Sequence, residues 1–474
     1  MRLEPGQASP TPPDHLPATL DELRATGAEF RSVKAELRDN LLARLAAGEP
    51  TLPGIVGFDE TVVPEVERAV IAGHDFVLLG ERGQGKTRLV RTLVTLLDEW
   101  SPAVEGCEIN DHPEAPVCVR CRRLAAELGG ALPVVWRHRS ERYGEKLATP
   151  DTSVGDLIGD VDPIKVAEGR TLGDPETVHY GLLPRTNRGI FAVNELPDLA
   201  ERIQVSLLNV LEERDVQVRG YQLRLPLDVL MVASANPEDY TNRGRIITPL
   251  KDRFGAEVRT HYPTDVDDEL ALLRQEADLA AIVPSFLLEV VARFTRQVRH
   301  SSAVDQRSGV SARFAVAGAE TVAAAAARRA AVMGEAVAVA RPVDLPAIVP
   351  TLRGKVEFEV SEEGRELDVL AHLLRQATAE VFRSRLAGLD LEPFVERFDD
   401  GTTVVTGELV TAATVLDEAG PIDGLARVMQ RLDVEAGESP GLAASALEFV
   451  LEGLWLTRRL SKAQAGGRTS YGAG

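Results

Sequence analysis

The stretch that decides the fold is Gly80-Glu81-Arg82-Gly83-Gln84-Gly85-Lys86-Thr87. It follows the apolar run 76–79 and precedes a helical pattern from Leu89 to Leu97. Glycines let a backbone curl so that several N–H groups point at one anion, a lysine adds a point charge, and a threonine hydroxyl can ligate Mg²⁺. The order strand, loop, helix therefore predicts a phosphate-binding loop. Its predicted nucleotide ligands are Gly80, Gly83, Gln84, Gly85, Lys86 and Thr87, the last also a Mg²⁺ ligand.

Composition narrows the class of protein. The chain has 474 residues, enough for about two to four domains, and its 53 basic and 73 acidic side chains give a net charge of −20. That balance argues against nucleic acid or an anionic membrane as the default partner. No apolar segment reaches the roughly 18 to 20 residues of a membrane span, and the polar, proline-rich residues 1–17 do not resemble a signal peptide. We therefore expect a cytoplasmic protein.

Short apolar runs alternate with helical patterns after residue 55, which predicts a parallel β-sheet covered on both faces. The predicted strands are 75–79, 132–137, 189–193 and 229–233, and the predicted helices are 86–100 and 199–213. Residues 216–225 alternate about Gly220, which is typical of a hairpin. Thr19 or Asp21 can cap a helix that runs to about residue 47. After residue 263 helical patterns dominate, and the glycine-rich end, 463–474, is predicted to be disordered.

Polar residues follow two of the predicted strands, and two arginine motifs come later in the chain. Asn194 and Glu195 end one strand, and Asn236 ends another. Arg253 follows a short loop, and Arg313 opens a helix. Ligands of open α/β sheets bind at the carboxyl ends of the strands, so the residues at the strand ends should lie beside the phosphate-binding loop.

Over residues 51–335 this order and spacing resemble an AAA+ ATPase of the branch that contains MoxR proteins and the ATPase subunit of magnesium chelatase. Segments 154–160 and 179–183 are similar to those that bracket that branch's helix-2 insertion, and the hairpin at Gly220 resembles its pre-sensor hairpin. The resemblance implies an α/β P-loop core with a parallel sheet, then a helical lid and a mostly helical C-terminal domain. The expected divisions are 1–50 (arm and helix), 51–262 (nucleotide-binding domain), 263–342 (lid) and 343–474 (C-terminal region).

The resemblance also implies roles for single residues. Glu195 corresponds to the general base that orients the attacking water, and Asn236 to the sensor 1 amide. Arg253 corresponds to an arginine finger inserted into the neighbouring subunit's nucleotide, and Arg313 to sensor 2. The nearby rivals for the sensor 2 position are Arg296, Arg299 and Arg307. The implied cofactors are ATP and Mg²⁺, the implied assembly is a homo-oligomeric ring, usually a hexamer, and the implied partner is a protein with a von Willebrand factor A-like domain.

One residue departs from the family pattern. The family places Asp before the general base, whereas this chain has Asn194, which keeps the size but loses a charge that helps to hold Mg²⁺. We expect weaker metal binding and slower hydrolysis. The alternatives are a nucleotide-binding switch or scaffold with negligible turnover, and a DNA-acting motor that uses Arg219 and Arg224 of the hairpin tip. A transcription activator of the enhancer-binding type is disfavoured because the loop that contacts the polymerase is absent.

A second group of candidate ligands could bind a metal ion other than Mg²⁺. All three cysteines and one histidine lie within fifteen residues, as Cys107, His112, Cys118 and Cys121. Four sulfur and nitrogen ligands suit tetrahedral Zn²⁺, and a closed site of this kind is structural. Asp111 can replace His112 as the fourth ligand. The alternative is three unpaired thiols on an extended loop.

Overall fold

The structure is a computed structural model that describes residues 10–161, 177–213, 216–218, 221–223, 225–236, 245–305, 309–399, 401–435 and 439–474. It divides into two compact units, Met1–His261 and Tyr262–Gly474. Within the described ranges, no helix has the length and apolar character needed to cross a membrane. The predicted division into four segments stays a prediction.

The first unit is an α/β structure. Its helices are α1 (Leu20–Ala25), α2 (Val33–Ala47), α3 (Val62–Ile71), α4 (Lys86–Thr92), α5 (Val119–Leu128), α6 (Val154–Leu157), α7 (Leu182–Arg185), α8 (Glu201–Glu213) and α9 (Thr248–Arg253). Its strands are β1 (Phe76–Leu79), β2 (Trp100–Val104), β3 (Val134–His138), β4 (Tyr143–Leu147), β5 (Gly159–Val161), β6 (Val178–Tyr180), β7 (Gly189–Asn194), β8 (Val216–Val218), β9 (Tyr221–Leu223), β10 (Val229–Ala235) and β11 (Ala256–Arg259).

Five strands form the central sheet in the order β11-β1-β10-β7-β4, and all four pairings are parallel. Strands β1, β7 and β10 are buried along their whole length because helices cover both faces of the sheet. Alternate residues contribute to different cores, so Phe76 and Leu78 pack on one face while Val77 and Leu79 pack on the other. This confirms the predicted α/β core with a parallel sheet.

Two predicted elements differ from the structure. The predicted strand 132–137 is present as β3, but it pairs antiparallel with β2 outside the central sheet, and β4 takes the place beside β7. The predicted helix 86–100 is shorter, because α4 continues as a 3₁₀ turn at Leu93–Leu96 before the chain enters β2. The segment from β2 to β3 therefore forms a small lobe outside the central sheet, and along the chain it lies between α4 and β4.

The N-terminal helix is divided in two, and the predicted hairpin is present. Thr19 caps α1, and the chain leaves the helix at Gly27, whose φ of 73° is left-handed, before α2 starts. Strands β8 and β9 pair antiparallel, with Val216 opposite Leu223. The central sheet is the part of the first unit that carries the predicted loop and the strand ends beside it.

The second unit is mostly helical. Its helices are α10 (Val266–Glu276), α11 (Ser285–His300), α12 (Ala312–Met333), α13 (Ile348–Leu352), α14 (Glu366–Arg385), α15 (Glu392–Glu396), α16 (Ala412–Ala419), α17 (Leu425–Arg431) and α18 (Pro440–Leu456). Its strands are β12 (Val404–Gly407), β13 (Leu460–Ala465) and β14 (Arg468–Ala473). One apolar cluster runs through the unit and includes residues of α11, α12, α14 and α18.

The prediction of a disordered tail at 463–474 was wrong. Strands β13 and β14 form an antiparallel hairpin, and β14 also pairs with β12. Gly466 and Gly467, with φ of 58° and 76°, form its two-residue turn, and Tyr471 is buried in the core. Glycines that suggested flexibility therefore mark a tight turn.

Candidate functional site

The phosphate-binding loop joins β1 to α4. Gly83 and Gly85 have φ of 74° and 75°, a backbone conformation that residues with a side chain rarely adopt, and Gly85 is the N-cap residue of α4. Gly80 N–H donates to the carbonyl of Ala235 at 3.2 Å, which ties the start of the loop to the end of β10. The predicted glycines therefore lie where the loop backbone requires them.

Lys86 is buried at the base of this loop. Its Nζ donates to the carbonyl oxygens of Gly80 and Glu81, the second at 2.8 Å. Thr87 follows in the first turn of α4 and is half-buried. The ammonium thus already lies inside the curve of the loop, where phosphate oxygens can replace the carbonyl oxygens as its partners.

The loop is held against the end of β11 by a residue that the sequence did not reveal. Gln84 Oε1 accepts hydrogen bonds from Glu81 N at 3.0 Å and from Thr260 Oγ1 at 2.8 Å. A Cβ on Gly80 would lie 1.9 Å from Thr260 Oγ1, so only glycine fits there. Because Thr260 follows an ordinary strand and belongs to no local motif, only the sheet order reveals its role.

A cavity of about 340 Å³ opens beside the loop. Its lining residues are Leu79, Gly80, Glu81, Gln84, Lys251, Arg259 and Thr260. Two of them are cations, and both contact Glu257, Lys251 at 3.3 Å and Arg259 at 3.1 Å. The volume lies at the lower end of the range typical of small-molecule sites, about 300 to 1,000 Å³.

The strand ends bring the polar residues to the same edge of the sheet. Leu79 pairs with Ala235, and Val193 pairs with Ala233, so β1, β10 and β7 end at nearly the same level. Neighbouring strands are about 4.8 Å apart, which puts the ends of β1 and β7 roughly 10 Å apart, on either side of β10. Asn236 follows β10 and is buried. The loop, Asn236 and Glu195 thus share one edge.

Glu195 has an unusual backbone conformation. Its φ of 56° and ψ of 48° lie in the left-handed region, and its N–H donates to Ser234 Oγ at 3.3 Å. For a residue with a Cβ this conformation costs roughly 1–2 kcal/mol. Strain of this kind is common at functional sites. Four other non-glycine residues among those described also have a positive φ, so the role of Glu195 stays a prediction from the motif.

Asn194 contacts a carboxylate that the sequence analysis missed. Its Nδ2 donates to Glu145 Oε1 at 2.6 Å, and its Oδ1 accepts from Ser234 Oγ at 3.1 Å. Glu145 also pairs with Arg91 at 2.8 Å and accepts from Tyr143 at 2.9 Å. Its hydrogen bond raises the pKa of Arg91, and burial, with a smaller contribution from Glu145, raises the pKa of Tyr143. A negative charge therefore lies beside the neutral amide.

Arg253 ends α9 on the surface of the first unit. Its side chain is 43% exposed, and its guanidinium donates to Glu212 Oε1 at 2.7 Å. Exposed ion pairs of this kind contribute about 0–1 kcal/mol, so the side chain can leave Glu212 at little cost. The predicted finger is accessible from outside the chain, and its role stays a prediction.

Arg313 lies in the second unit, exposed in the first turn of α12. Among its rivals, Arg299 is buried and pairs with Glu269 at 3.0 Å, which gives it a structural role in that unit. Arg296 donates to a backbone carbonyl at 3.3 Å. Arg307 lies outside the described residues. The sensor 2 role of Arg313 stays a prediction.

Comparison with known proteins finds magnesium-chelatase subunits among the relatives of this chain. The chain is 31% identical over 261 residues to the magnesium-chelatase 38 kDa subunit of Acidiphilium rubrum, a match that covers 52% of this chain and 64% of the relative. It is 30% identical over 262 residues to the 38 kDa subunit of Rhodobacter capsulatus, covering 52% of this chain and 67% of the relative. The chain belongs to the AAA+ ATPase branch that contains these chelatase subunits.

One family model and two solved structures also match this AAA+ protein. The family model of the sigma-54 interaction domain matches residues 170–253. A structure of the complex between subunits BchI and BchD of magnesium chelatase covers 66% of this chain and 97% of the matched chain, at 22% identity and a TM-score of 0.35. NtrX from Brucella abortus with ADP covers 83% and 72%, at 14% identity and a TM-score of 0.40. Scores this low carry no argument about overall arrangement.

The cysteines of this AAA+ protein lie in the lobe between β2 and β3. Ligand atoms of Cys107, Asp111, Cys118 and Cys121 all lie within 4.8 Å of one another, and all four residues are buried. His112 lies outside this group, whereas Asp111, the alternative fourth ligand, lies inside it. The His112 Nδ1 instead accepts from Glu114 N at 3.2 Å, and the ring packs on Phe30. The binding of zinc by any of these residues stays a prediction.

Titration in the cluster reflects burial and mutual hydrogen bonding. Thiol hydrogen bonds from Cys118 and Cys121 lower the pKa of Cys107 below its usual range, while the same contacts raise the pKa of the two donors. Burial raises the pKa of Asp111 to about 6. Burial, with smaller effects from nearby arginines, lowers the pKa of His112 to about 3, so this imidazole is neutral.

The predicted DNA contacts of this AAA+ protein cannot be placed. Arg219 and Arg224 lie outside the described residues, and so does Pro237 after Asn236. The backbone of the hairpin is described on both sides of its tip. The two hairpin arginines stay predictions from the sequence.

Proposed function

We propose that this chain is an ATP-binding and ATP-hydrolysing motor that performs conformational work on a partner protein. The observation that carries the proposal is the common edge formed by the glycine loop and Glu195, one on each side of β10, with Glu195 held in a left-handed conformation. Phosphoryl transfer needs positioning and charge neutralisation more than covalent chemistry, and this edge supplies groups for both.

The proposed roles follow from the contacts. The loop N–H groups and Lys86 would hold the phosphates, and Thr87 would be a ligand of Mg²⁺, which when bound neutralises charge on the phosphate oxygens. Glu195 would orient the attacking water as general base, and Asn236 would hold that water or the outer phosphate by its amide. The cofactors of the reaction are ATP and Mg²⁺, and a zinc ion at the cysteine cluster would take no part in it.

We further infer that Glu145 restores the negative charge that Asn194 lacks. Its carboxylate lies on the neighbouring strand, 2.6 Å from the Asn194 amide nitrogen. Arg91 partly neutralises it, so its pull on Mg²⁺ and the coordinated waters is weaker than that of an unpaired aspartate. Glu145→Gln should therefore raise the Mg²⁺ concentration needed for half-maximal turnover, and an unchanged Mg²⁺ dependence would refute this inference.

The proposed active form is a ring, usually a hexamer in this branch, in which Arg253 completes the neighbouring subunit's site. Its exposure and the weak pairing with Glu212 support a side chain that can be inserted into another subunit. A partner with a von Willebrand factor A-like domain, and work such as metal insertion or remodelling of that partner, follow from the resemblance alone. The predicted cytoplasmic location also remains a prediction.

A phosphate-release assay tests the motor directly. We expect Lys86→Ala to weaken nucleotide binding, and Glu195→Gln to bind ATP but lose about 10²- to 10⁴-fold in turnover. Glu201→Gln makes the same chemical change on an exposed residue at the start of α8 and should match the wild type. Equal turnover in the wild type and Glu195→Gln would refute the motor.

The second candidate is a nucleotide-binding switch or scaffold. The specific observation in its favour is the neutral amide of Asn194 at the position where this branch has a carboxylate, already engaged with Glu145 and Ser234. Calorimetry that detects ATP binding, together with wild-type phosphate release no faster than that of Lys86→Ala, would favour it over the motor. DNA that stimulates turnover at low salt would instead favour the DNA-acting alternative.

A further inference from the structure

We propose that Cys107, Asp111, Cys118 and Cys121 bind one structural zinc ion in a closed tetrahedral site. The four residues come from two places, the turn after β2 and the start of α5. Their ligand atoms converge to within 4.8 Å of one another in a buried position. Three thiolates and one carboxylate are ligands that zinc accepts in protein sites.

The spacing of the ligands matches a single ion. A zinc–sulfur distance of about 2.3 Å at tetrahedral angles puts the ligand atoms roughly 3.8 Å apart. The observed upper limit of 4.8 Å needs only small side-chain adjustments to reach this value. In an iron–sulfur cluster at least some of the thiolates bind different iron atoms, and those thiolates lie farther apart than four ligands of one ion. The geometry therefore favours a mononuclear site.

Asp111 provides an independent indication of a missing partner. The residue is 0% exposed, and its Oδ2 accepts from Val117 N at 3.1 Å and from Cys118 N at 2.9 Å. Its Oδ1 has no hydrogen-bond partner among the described residues, although it is buried. A buried carboxylate oxygen without a partner is costly. A metal ion at the centre of the cluster would satisfy this oxygen.

Backbone N–H groups already orient two of the sulfurs. Asp111 N donates to Cys107 Sγ at 3.3 Å, and Cys121 N donates to Cys118 Sγ at 3.3 Å. Such bonds fix the direction of the remaining sulfur lone pairs, the role that outer-shell groups have in metal sites. The loop backbone thus orients two of the proposed ligands.

The lobe also needs an anchor of this kind. Among the ten residues of α5, all of them described, Cys121 is the one that is buried. The segment between β2 and α5 contains no helix or strand in the structure, only a bridge between His112 and Ala115. A helix that buries so little of its own surface gains stability when a cross-link fixes its first turn, and zinc is a common cross-link in a reducing compartment. An odd number of thiols suits a metal better than disulfides.

Metal analysis of the full-length chain, purified without chelator, tests the site. We expect about one zinc per wild-type chain and loss of that zinc in Cys121→Ser. Asp111→Asn should weaken zinc binding at least about tenfold, whereas the adjacent variant His112→Gln, the matched control, should keep the wild-type stoichiometry. Retention by Asp111→Asn together with loss in His112→Gln would overturn the assignment of the fourth ligand.

A second measurement needs no variant and so does not depend on whether variants fold. In the folded wild type we expect the three thiols to resist alkylation, and a strong chelator to release zinc and make all three reactive. Folded protein that contains no stoichiometric zinc, with thiols equally reactive with and without chelator, would overturn the proposal. Both readouts are independent of ATP hydrolysis, so failure of the motor proposal would leave this test intact.

Discussion

Replacing Asn194 by aspartate tests whether Glu145, on the neighbouring strand, supplies the negative charge beside the nucleotide site. In the wild type, the Asn194 amide donates to Glu145 Oε1 at 2.6 Å and accepts from Ser234 Oγ at 3.1 Å. Aspartate can still accept from the serine but has no donor for Glu145. Asn194→Asp therefore restores the family motif locally, and it places two carboxylates at hydrogen-bond distance with no donor between them.

The expected loss in the free energy of unfolding follows from this geometry. The lost hydrogen bond to a charged group is worth about 1.5–3 kcal/mol. Two like charges about 4 Å apart repel by about 4 kcal/mol at an effective dielectric constant of 20. Arg91, which contacts Glu145 at 2.8 Å, offsets part of the repulsion, and the Glu145 side chain is 20% exposed. We expect a net loss of about 2–4 kcal/mol in the free energy of unfolding at pH 7.5.

The stability of Asn194→Asp should depend on pH with a definite sign. Repulsion from Glu145 raises the pKa of the introduced carboxyl above its unfolded-state value of about 3.9. Between these two pKa values the folded variant binds more protons than the unfolded one, so its stability falls as the pH rises. The deficit relative to the wild type is therefore complete above the raised pKa and shrinks as the pH approaches 4.

Urea unfolding of three chains at pH 7.5 and pH 5 measures the effect. The wild type and Asn194→Asp should differ most at pH 7.5, and the double variant Asn194→Asp/Glu145→Gln should recover most of the loss because an amide can donate to the new carboxylate. The double variant should also require less Mg²⁺ for turnover than Glu145→Gln alone. An Asn194→Asp deficit that is absent, or that does not change with pH, would refute the reasoning.

Three further outcomes are expected. Arg253→Ala and Glu195→Gln should each lose about 10²-fold or more in turnover. If the finger acts between subunits, a mixture of the two variant proteins should regain measurable phosphate release. The absence of any recovery would argue against a finger supplied by a neighbouring subunit. Gly80→Ala should weaken ATP binding at least about tenfold by calorimetry, because its Cβ would meet side-chain oxygens at 1.9 and 2.3 Å; wild-type affinity would show that the loop can rearrange. Arg142→Ala should cost about 3–5 kcal/mol in urea unfolding by leaving Glu36 buried without its 2.6 Å partner, and a loss below 1 kcal/mol would contradict that.

The nucleotide-binding core could be predicted because its signals are local. The strands that precede the loop, Glu195 and Asn236 are apolar runs that are buried on both faces, and each is followed at once by glycine or a polar residue. Such runs need no knowledge of distant contacts. Strand β4 gave no such signal, because Tyr143–Leu147 is mostly polar and its last residue is 58% exposed at the edge of the sheet. Glu145 was missed together with its strand.

The proposed zinc ligands could be predicted from the sequence only in part. Cys107, Cys118 and Cys121 could be recognised by residue type and spacing, since cysteines are rare in this chain. The choice between His112 and Asp111 depends on which of two adjacent side chains turns inward. Backbone N–H groups at Val117 and Cys118 bind the Asp111 carboxylate and turn it inward, and no pattern of residue types encodes those contacts.

The same reasoning bears on how the departure at Asn194 should be interpreted. A motif records charge along one strand, whereas Mg²⁺ and its waters respond to the total charge within a few ångströms. In a parallel sheet the next strand is about 4.8 Å away, close enough for its carboxylate to compensate. Strand β4 brings Glu145 into contact with Asn194, so the loss of charge in the motif does not imply its loss at the site. Slow hydrolysis would then be due to the pairing of Glu145 with Arg91, and Arg91→Gln should increase turnover in the wild-type background.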